Sequence, residues 1–144
     1  MTLKYKRILL KFSGEALMGS GDFGLCAETL KKVVAEVKSL RSLGVEVGIV
    51  VGGGNIFRGA QIQGSGIQRT TGDHMGMMAT VINALALRDV IESQGMRAQM
   101  MSAMSIEGVS SGFNASQVKK QLLDGDVVVF AAGTGSPFFT TDTA

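Results

Sequence analysis

The sequence predicts an α/β fold, a three-layer αβα sandwich around a mainly parallel central sheet, and three observations carry that prediction. Short apolar runs alternate with longer stretches of helical period. Three of the runs end in glycine-rich loops: Arg7–Phe12 leads into Ser13-Gly14, residues 45–51 into Gly52-Gly53-Gly54-Asn55, and residues 127–132 into Gly133-Thr134-Gly135-Ser136. Right-handed crossovers would gather all three loops on one edge of the sheet. In an open parallel sheet a ligand lies outside the carboxyl ends of the strands, where glycine lets backbone N–H groups approach an anion. A phosphate-bearing ligand is the expectation.

The elements follow in order. After the first strand, residues 13–25 are glycine-rich, and Leu30, Val33, Val34, Val37, Leu40 and Leu43 then recur at three- and four-residue steps as one apolar helix face. Gly44 is placed to end that helix, and Val45 begins the second strand. Residues 56–72 hold four glycines and little periodicity, which predicts a loop with room for a short helix. A long helix is expected over residues 73–93, with Met75, Met78, Ile82, Leu85, Leu87, Val90 and Ile91 as its apolar side and Gly95 just past its end. Residues 97–101 read as a third strand, 116–123 as a short helix, and Asp124-Gly125-Asp126 as the turn into the last strand.

A chain of 144 residues suits one domain with a real core. Fourteen basic and twelve acidic residues give a formal net charge of +2 without a dense basic cluster, which argues against nucleic acid as the main partner. No apolar stretch approaches the ~18 residues of a membrane span. The basic, then apolar amino terminus fails as a signal peptide, because Lys11 interrupts it and no small-residue cleavage site follows. The single cysteine, Cys26, reads as apolar filler in a protein of a reducing compartment. A soluble, cytoplasmic protein is expected. The last five residues read as a loop entering a helix, with Asp142 as its N-cap, so the chain is expected to be part of a longer one.

Lys11 is a charged residue near the end of an otherwise apolar strand, two positions before Ser13. It could neutralise charge on a transferring phosphoryl group, or simply hold its head in water. No Gly-x-x-x-x-Gly-Lys-Ser/Thr loop is present, and the triple glycine lacks the Gly-x-Gly-x-x-Gly spacing. Close backbone approach to a ligand and a tight turn both remain open for it. Arg58 follows the triple glycine and could grip a phosphate through two parallel hydrogen bonds, or form a surface salt bridge. Asp73, just before the expected long helix, is explained by an N-cap role, although its carboxylate could also accept from ribose hydroxyls. His74, the only histidine, has no metal-ligand spacing around it and reads as structural, so no protein-bound metal is expected. The stretch 133–142 mixes hydroxyls, glycines and two phenylalanines, suited to wrapping a polar ring; the alternative is a loop whose phenylalanines turn back into the core.

Taken together, the segments 4–17, 52–59, 72–80 and 132–142 closely resemble the bacterial uridylate kinases of the amino acid kinase family. The resemblance spans nearly the whole chain. It implies transfer of the ATP γ-phosphoryl group to uridine monophosphate (UMP), with Mg2+ bridging the phosphates. Carried over by position, Lys11, Phe12, Ser13, Gly14, Gly54 and Arg58 would lie against ATP, with Lys11 and Arg58 catalytic. Gly53, Asp73, Thr134, Gly135, Ser136, Pro137, Phe138, Phe139, Thr140 and Thr141 would hold UMP, which makes Asp73 a ribose-hydroxyl acceptor in place of a cap. Gly19, Ser20, Gly21, Asp22, Phe23 and Gly24 match a region linked to activation by GTP. A homohexamer inhibited by UTP is implied as well. Residues 1–144 would form the N-terminal, UMP-binding portion, with the ATP-binding portion in roughly another hundred residues, about one domain's worth. The remaining alternatives are an amino acid or carbamate kinase of the same fold and a non-catalytic nucleotide-binding module.

Overall fold

A computed structural model describes residues 2–141, so the expected cap at Asp142 lies outside the described residues. Strand β1 (Arg7–Phe12) alternates: Ile8, Leu10 and Phe12 face the core, while Arg7, Leu9 and Lys11 are exposed on the other side. Helix α1 (Ala27–Ser42) buries Leu30, Val34 and Val37. Leu43 sits in its cap, 51% exposed, and not on the expected face. Gly44 follows at φ +83°, a conformation glycine adopts without steric cost, and turns the chain into β2 (Glu46–Val51).

Helix α2 (Arg69–Ser93) begins four residues earlier than the sequence predicts. Gly72 reads as a breaker in the sequence, yet it lies inside the helix, where a Cβ would stand 2.6 Å from Ile62 Cδ1. The 3-10 turn Gly59–Ile62 packs against α2 with the tip of Ile62 seated on the bare position 72. The buried face of α2 also differs from the expected one. Met77, Thr80, Val81, Ala84, Leu87 and Ile91 are inside, whereas Met75, Met78 and Ile82 are exposed. Strand β3 (Ala98–Ser102), helix α3 (Ala115–Leu123) and strand β4 (Val127–Ala131) complete the chain within a residue of expectation.

All four strands run parallel in the order β1-β2-β4-β3. The register is long on the outside, six pairs between β1 and β2 and five between β3 and β4, and short in the centre, three pairs between β2 and β4. The connections β1 to β2 and β2 to β3 advance across the sheet and β3 to β4 steps back. Right-handed crossovers then put α1 and α2 on one face and α3 on the other. The packing agrees. One core cluster joins α1, α2 and the inward residues Val47, Ile49, Val51, Val127 and Val129; a second joins Val118 and Leu122 of α3 to Met101 and Val128. Gly48 belongs to the α3 side, where Leu9 and Phe130 close over it. Among the described residues no helix is long and apolar enough to cross a membrane.

Candidate functional site

The loops after β1, β2 and β4 all leave the carboxyl ends of parallel strands, as the sequence predicts. The first two are pressed together. The Gly52 N–H donates to the Phe12 carbonyl at 2.9 Å, and a Cβ on Gly14 would lie 2.5 Å from the Gly54 nitrogen. The Phe12 ring itself is half-buried against the core. Ser13 Oγ accepts from the Ala16 N–H at 3.2 Å and so opens the 3-10 turn Glu15–Leu17. Lys11 stands exposed two residues before Ser13, paired in register with Val50.

Arg58 ties these two loops to each other. Its Nε donates to the Gly54 carbonyl at 3.1 Å, and its Nη2 meets Glu15 Oε1 at 2.5 Å. Both side chains of that ion pair are about half exposed, so solvent screens the attraction. A phosphate arriving at the amides of Gly53 and Gly54 would meet a guanidinium already anchored beside them. Glu15, which sequence reasoning gave no role, holds that guanidinium.

Asp73 is not an N-cap. It lies in the second turn of α2, whose N-cap position, Gln68, makes no side-chain bond. Asp73 Oδ2 instead accepts from the Phe138 N–H at 2.8 Å, which brings the loop after β4 onto the helix. The guanidinium of Arg69 sits 4.7 Å over the Phe138 ring and 3.9 Å from the same carboxylate. The loop is folded tightly. The Gly135 N–H donates to the Ala132 carbonyl, the Ser136 N–H to Thr134 Oγ1, and a Cβ on Gly133 would stand 2.6 Å from Thr141 Cα. Ala132 and Phe138 both hold φ +67°, a costly conformation outside glycine that recurs at ligand-binding sites. Phe138 and Phe139 are 60% and 62% exposed, so the alternative in which they return to the core does not hold. Pro137 is half-buried, while Thr140 is exposed.

Gly53 joins the two regions. Its missing Cβ would be 2.8 Å from Ala79 Cβ and 3.1 Å from the Gly76 carbonyl, so the triple-glycine loop lies directly on α2. A hollow of about 440 Å³ opens at the start of the helix, lined by Ile62, Arg69, Gly72 and Asp73. A larger one, about 760 Å³, lies on the α3 side of the sheet; its walls mix apolar Leu9, Phe113 and Phe130 with Arg7 and Lys119, and only Gly133 and Thr134 of the expected site reach it.

The segment 19–24 is placed by its last glycine. The Gly24 N–H donates to the Asn55 carbonyl at 2.8 Å, and Asn55 Nδ2 donates to the Gly24 carbonyl at 2.9 Å. Phe23 is 73% exposed. Cys26 follows at the N-cap of α1, its thiol held below the ordinary value chiefly by hydrogen bonding from the Thr29 hydroxyl and backbone N–H. His74 is exposed on α2, and among the described residues no three His, Cys, Asp or Glu side chains are grouped to hold a metal ion. Gly53 and the Phe138 N–H thus set both regions against α2 as their common support.

The sequence signature of the amino acid kinase family matches residues 6–144. The chain belongs to the amino acid kinase family. Within that family it is 76% identical over 144 residues to the uridylate kinase of Hydrogenovibrio crunogenus (strain DSM 25203 / XCL-2), covering all of this chain and 61% of that protein. It is 55% identical over 141 residues to the uridylate kinase of Stutzerimonas stutzeri (strain A1501), covering 98% of this chain and 57% of the relative. The crystal structure of the UMP kinase from Bacillus anthracis superimposes with a TM-score of 0.90 at 37% identity, over 96% of this chain and 57% of that one. The UMP kinase from Ureaplasma parvum gives 0.89 at 32% identity, over 97% and 59%. The chain thus spans about three-fifths of the length of these amino acid kinase relatives.

Proposed function

We propose that this protein is a uridylate kinase, transferring the γ-phosphoryl group of ATP to UMP to give UDP and ADP. The observation that carries the reading is the hydrogen bond from the Phe138 N–H to Asp73, with Gly53 seated on the same helix. It gathers the three segments expected to hold the acceptor, Gly53, Asp73 and Thr134 to Thr141, around α2. The matching names of the relatives support it. Residues 1–144 then form the acceptor-binding portion, and the part corresponding to the rest of the relatives' length supplies most of the ATP site.

Phosphoryl transfer needs positioning and charge neutralisation more than covalent chemistry. In this reading Lys11 neutralises the moving phosphoryl group, while Arg58 clamps phosphate beside Ser13, Gly14 and Gly54. Asp73 accepts from the ribose hydroxyls, and the exposed Phe138 and Phe139 cover the base. Mg2+ arrives on the nucleotide phosphates. A cytoplasmic homohexamer, activated by GTP through residues 19–24 and inhibited by UTP, belongs to the same proposal.

The test uses the full-length protein with ATP, Mg2+ and UMP. Lys11→Met should lower turnover by roughly a hundredfold or more while UMP affinity stays within about twofold. Unchanged turnover overturns the role of Lys11. Tighter binding of aspartate, glutamate or carbamate than of UMP would replace the nucleotide acceptor with one of the family's other substrates. Because the chain spans 61% of its relative, a second reading applies to these residues on their own: they bind the acceptor without turning it over.

A further inference from the structure

Helix α2 carries two buried polar side chains, Thr80 and Asn83, that the proposed ligand contacts do not use. Asp73, Gly76, Thr80 and Asn83 recur at three- and four-residue steps and so share one face. Thr80 and Asn83 are both fully buried, in a helix whose other inward residues are nearly all apolar. Each polar group there must find a partner, and the partners are loops. The Thr80 hydroxyl donates to the Met77 carbonyl at 2.6 Å, which spends its proton within the helix and leaves its oxygen to accept from the Ala132 N–H at 2.7 Å. Ala132 is the left-handed residue at the root of the loop 133–141.

One turn further on, Asn83 Nδ2 donates to the Gly52 carbonyl and to Asn55 Oδ1, both at 2.7 Å. Asn55 Nδ2 returns a bond to Asn83 Oδ1 at 3.1 Å and gives its other proton to the Gly24 carbonyl. All four amide protons of the pair are used. Gly76 and Ala79, just before these anchors on the helix, press on Gly53.

We infer that Thr80 and Asn83 are positioning residues that fix the loop after β4 and the loop after β2 at a set separation along one rigid helix, Thr80 governing the acceptor loop and Asn83 the triple-glycine loop. The inference rests on the uridylate kinase reading and deepens it. Neither residue touches substrate; each acts through a backbone group whose conformation it holds.

Two isosteric substitutions separate the roles. Thr80→Val keeps the shape and loses the acceptor. Asn83→Asp loses both donors and sets a carboxylate against the Gly52 carbonyl. Amide hydrogen exchange on each variant and kinetics of the full-length protein are the readouts. Thr80→Val should speed exchange across residues 132–138 by about tenfold and raise the KM for UMP by about tenfold, with kcat within twofold. Residues 52–55 should not change, and Thr80→Ser should restore both values. Asn83→Asp should do the reverse, speeding exchange at 24 and 52–55 and raising the KM for ATP while leaving 132–138 as it was.

If both variants loosen both loops alike, or neither loop, the assignment is overturned. Should either substitution prevent folding, the unsubstituted protein still decides. The Ala132 amide must exchange only at the rate of global unfolding, and rapid exchange there refutes the anchor. If the full-length protein fails to phosphorylate UMP, the functional reading fails, while the exchange data still judge the positioning.

Discussion

Replacing Gly14 with alanine probes the contact that joins the loops after β1 and β2. Gly14 has φ −59° and ψ −38°, a conformation any residue adopts, so the effect of a methyl group is steric. That methyl carbon would stand 2.5 Å from Asn55 Oδ1, 2.5 Å from the Gly54 nitrogen and 2.8 Å from the Asn55 nitrogen. Two of these atoms are backbone, and the third belongs to a side chain locked by Asn83. No flexible group can swing away, so the triple-glycine loop must retreat or β1 must shift. Overpacking of this kind costs about 2–3 kcal/mol. For a chain of 144 residues each kcal/mol moves the melting temperature by about 3 °C, which predicts a loss of roughly 6–9 °C. Gly59→Ala is the control. Nothing lies within 4 Å of its added carbon and its φ is not left-handed, so Tm should hold or rise by up to about 3 °C. Thermal unfolding followed by circular dichroism at the helix band measures both. Equal Tm values for Gly14→Ala and the parent protein would refute the close packing of these loops.

Asn114 caps α3, its Oδ1 accepting from the Gln117 N–H at 3.0 Å, so Asn114→Ala should cost about 1 kcal/mol and lower Tm by about 3 °C. Aspartate at the same position should retain most of that stability. The Cys26 thiol, held low by Thr29, should alkylate with iodoacetamide at a lower pH than a free cysteine. Thr29→Val should move the midpoint of its rate-against-pH curve upward, and an unmoved midpoint would assign the lowering to another cause.

The elements whose signals are local were legible in the residues. Every strand and the bodies of all three helices follow from apolar period, and the three glycine loops were located from the runs that precede them. The misreadings occur where a distant part of the chain decides. Thr70-Thr71-Gly72 looks like a turn until Ile62 is seen to rest on the bare position, and once the helix starts at Arg69, Asp73 is carried past the cap into its second turn. The methionines at 75 and 78 satisfy helical spacing, yet the sheet takes the face of Met77 and Val81, a rotation that period alone does not fix. Glu15, Asn55, Thr80 and Asn83 have no pattern of their own. Their roles exist only through partners 28 to 52 positions away.

The brief central pairing of the sheet has a kinetic consequence. β1 with β2, and β3 with β4, are each linked through a single helix and can form early, as separate halves. β2 and β4 meet over three positions, Gly48 to Val50 against Val128 to Phe130, contributed by distant stretches of sequence. Such a pairing needs a long chain closure, so the seam between halves is expected to form late during refolding. The loops at residues 52–55 and 133–136 hang from the two strands that flank this seam. The two loops are therefore expected to reach their final separation only when the halves join, so their relative placement should be among the last features a refolding chain acquires.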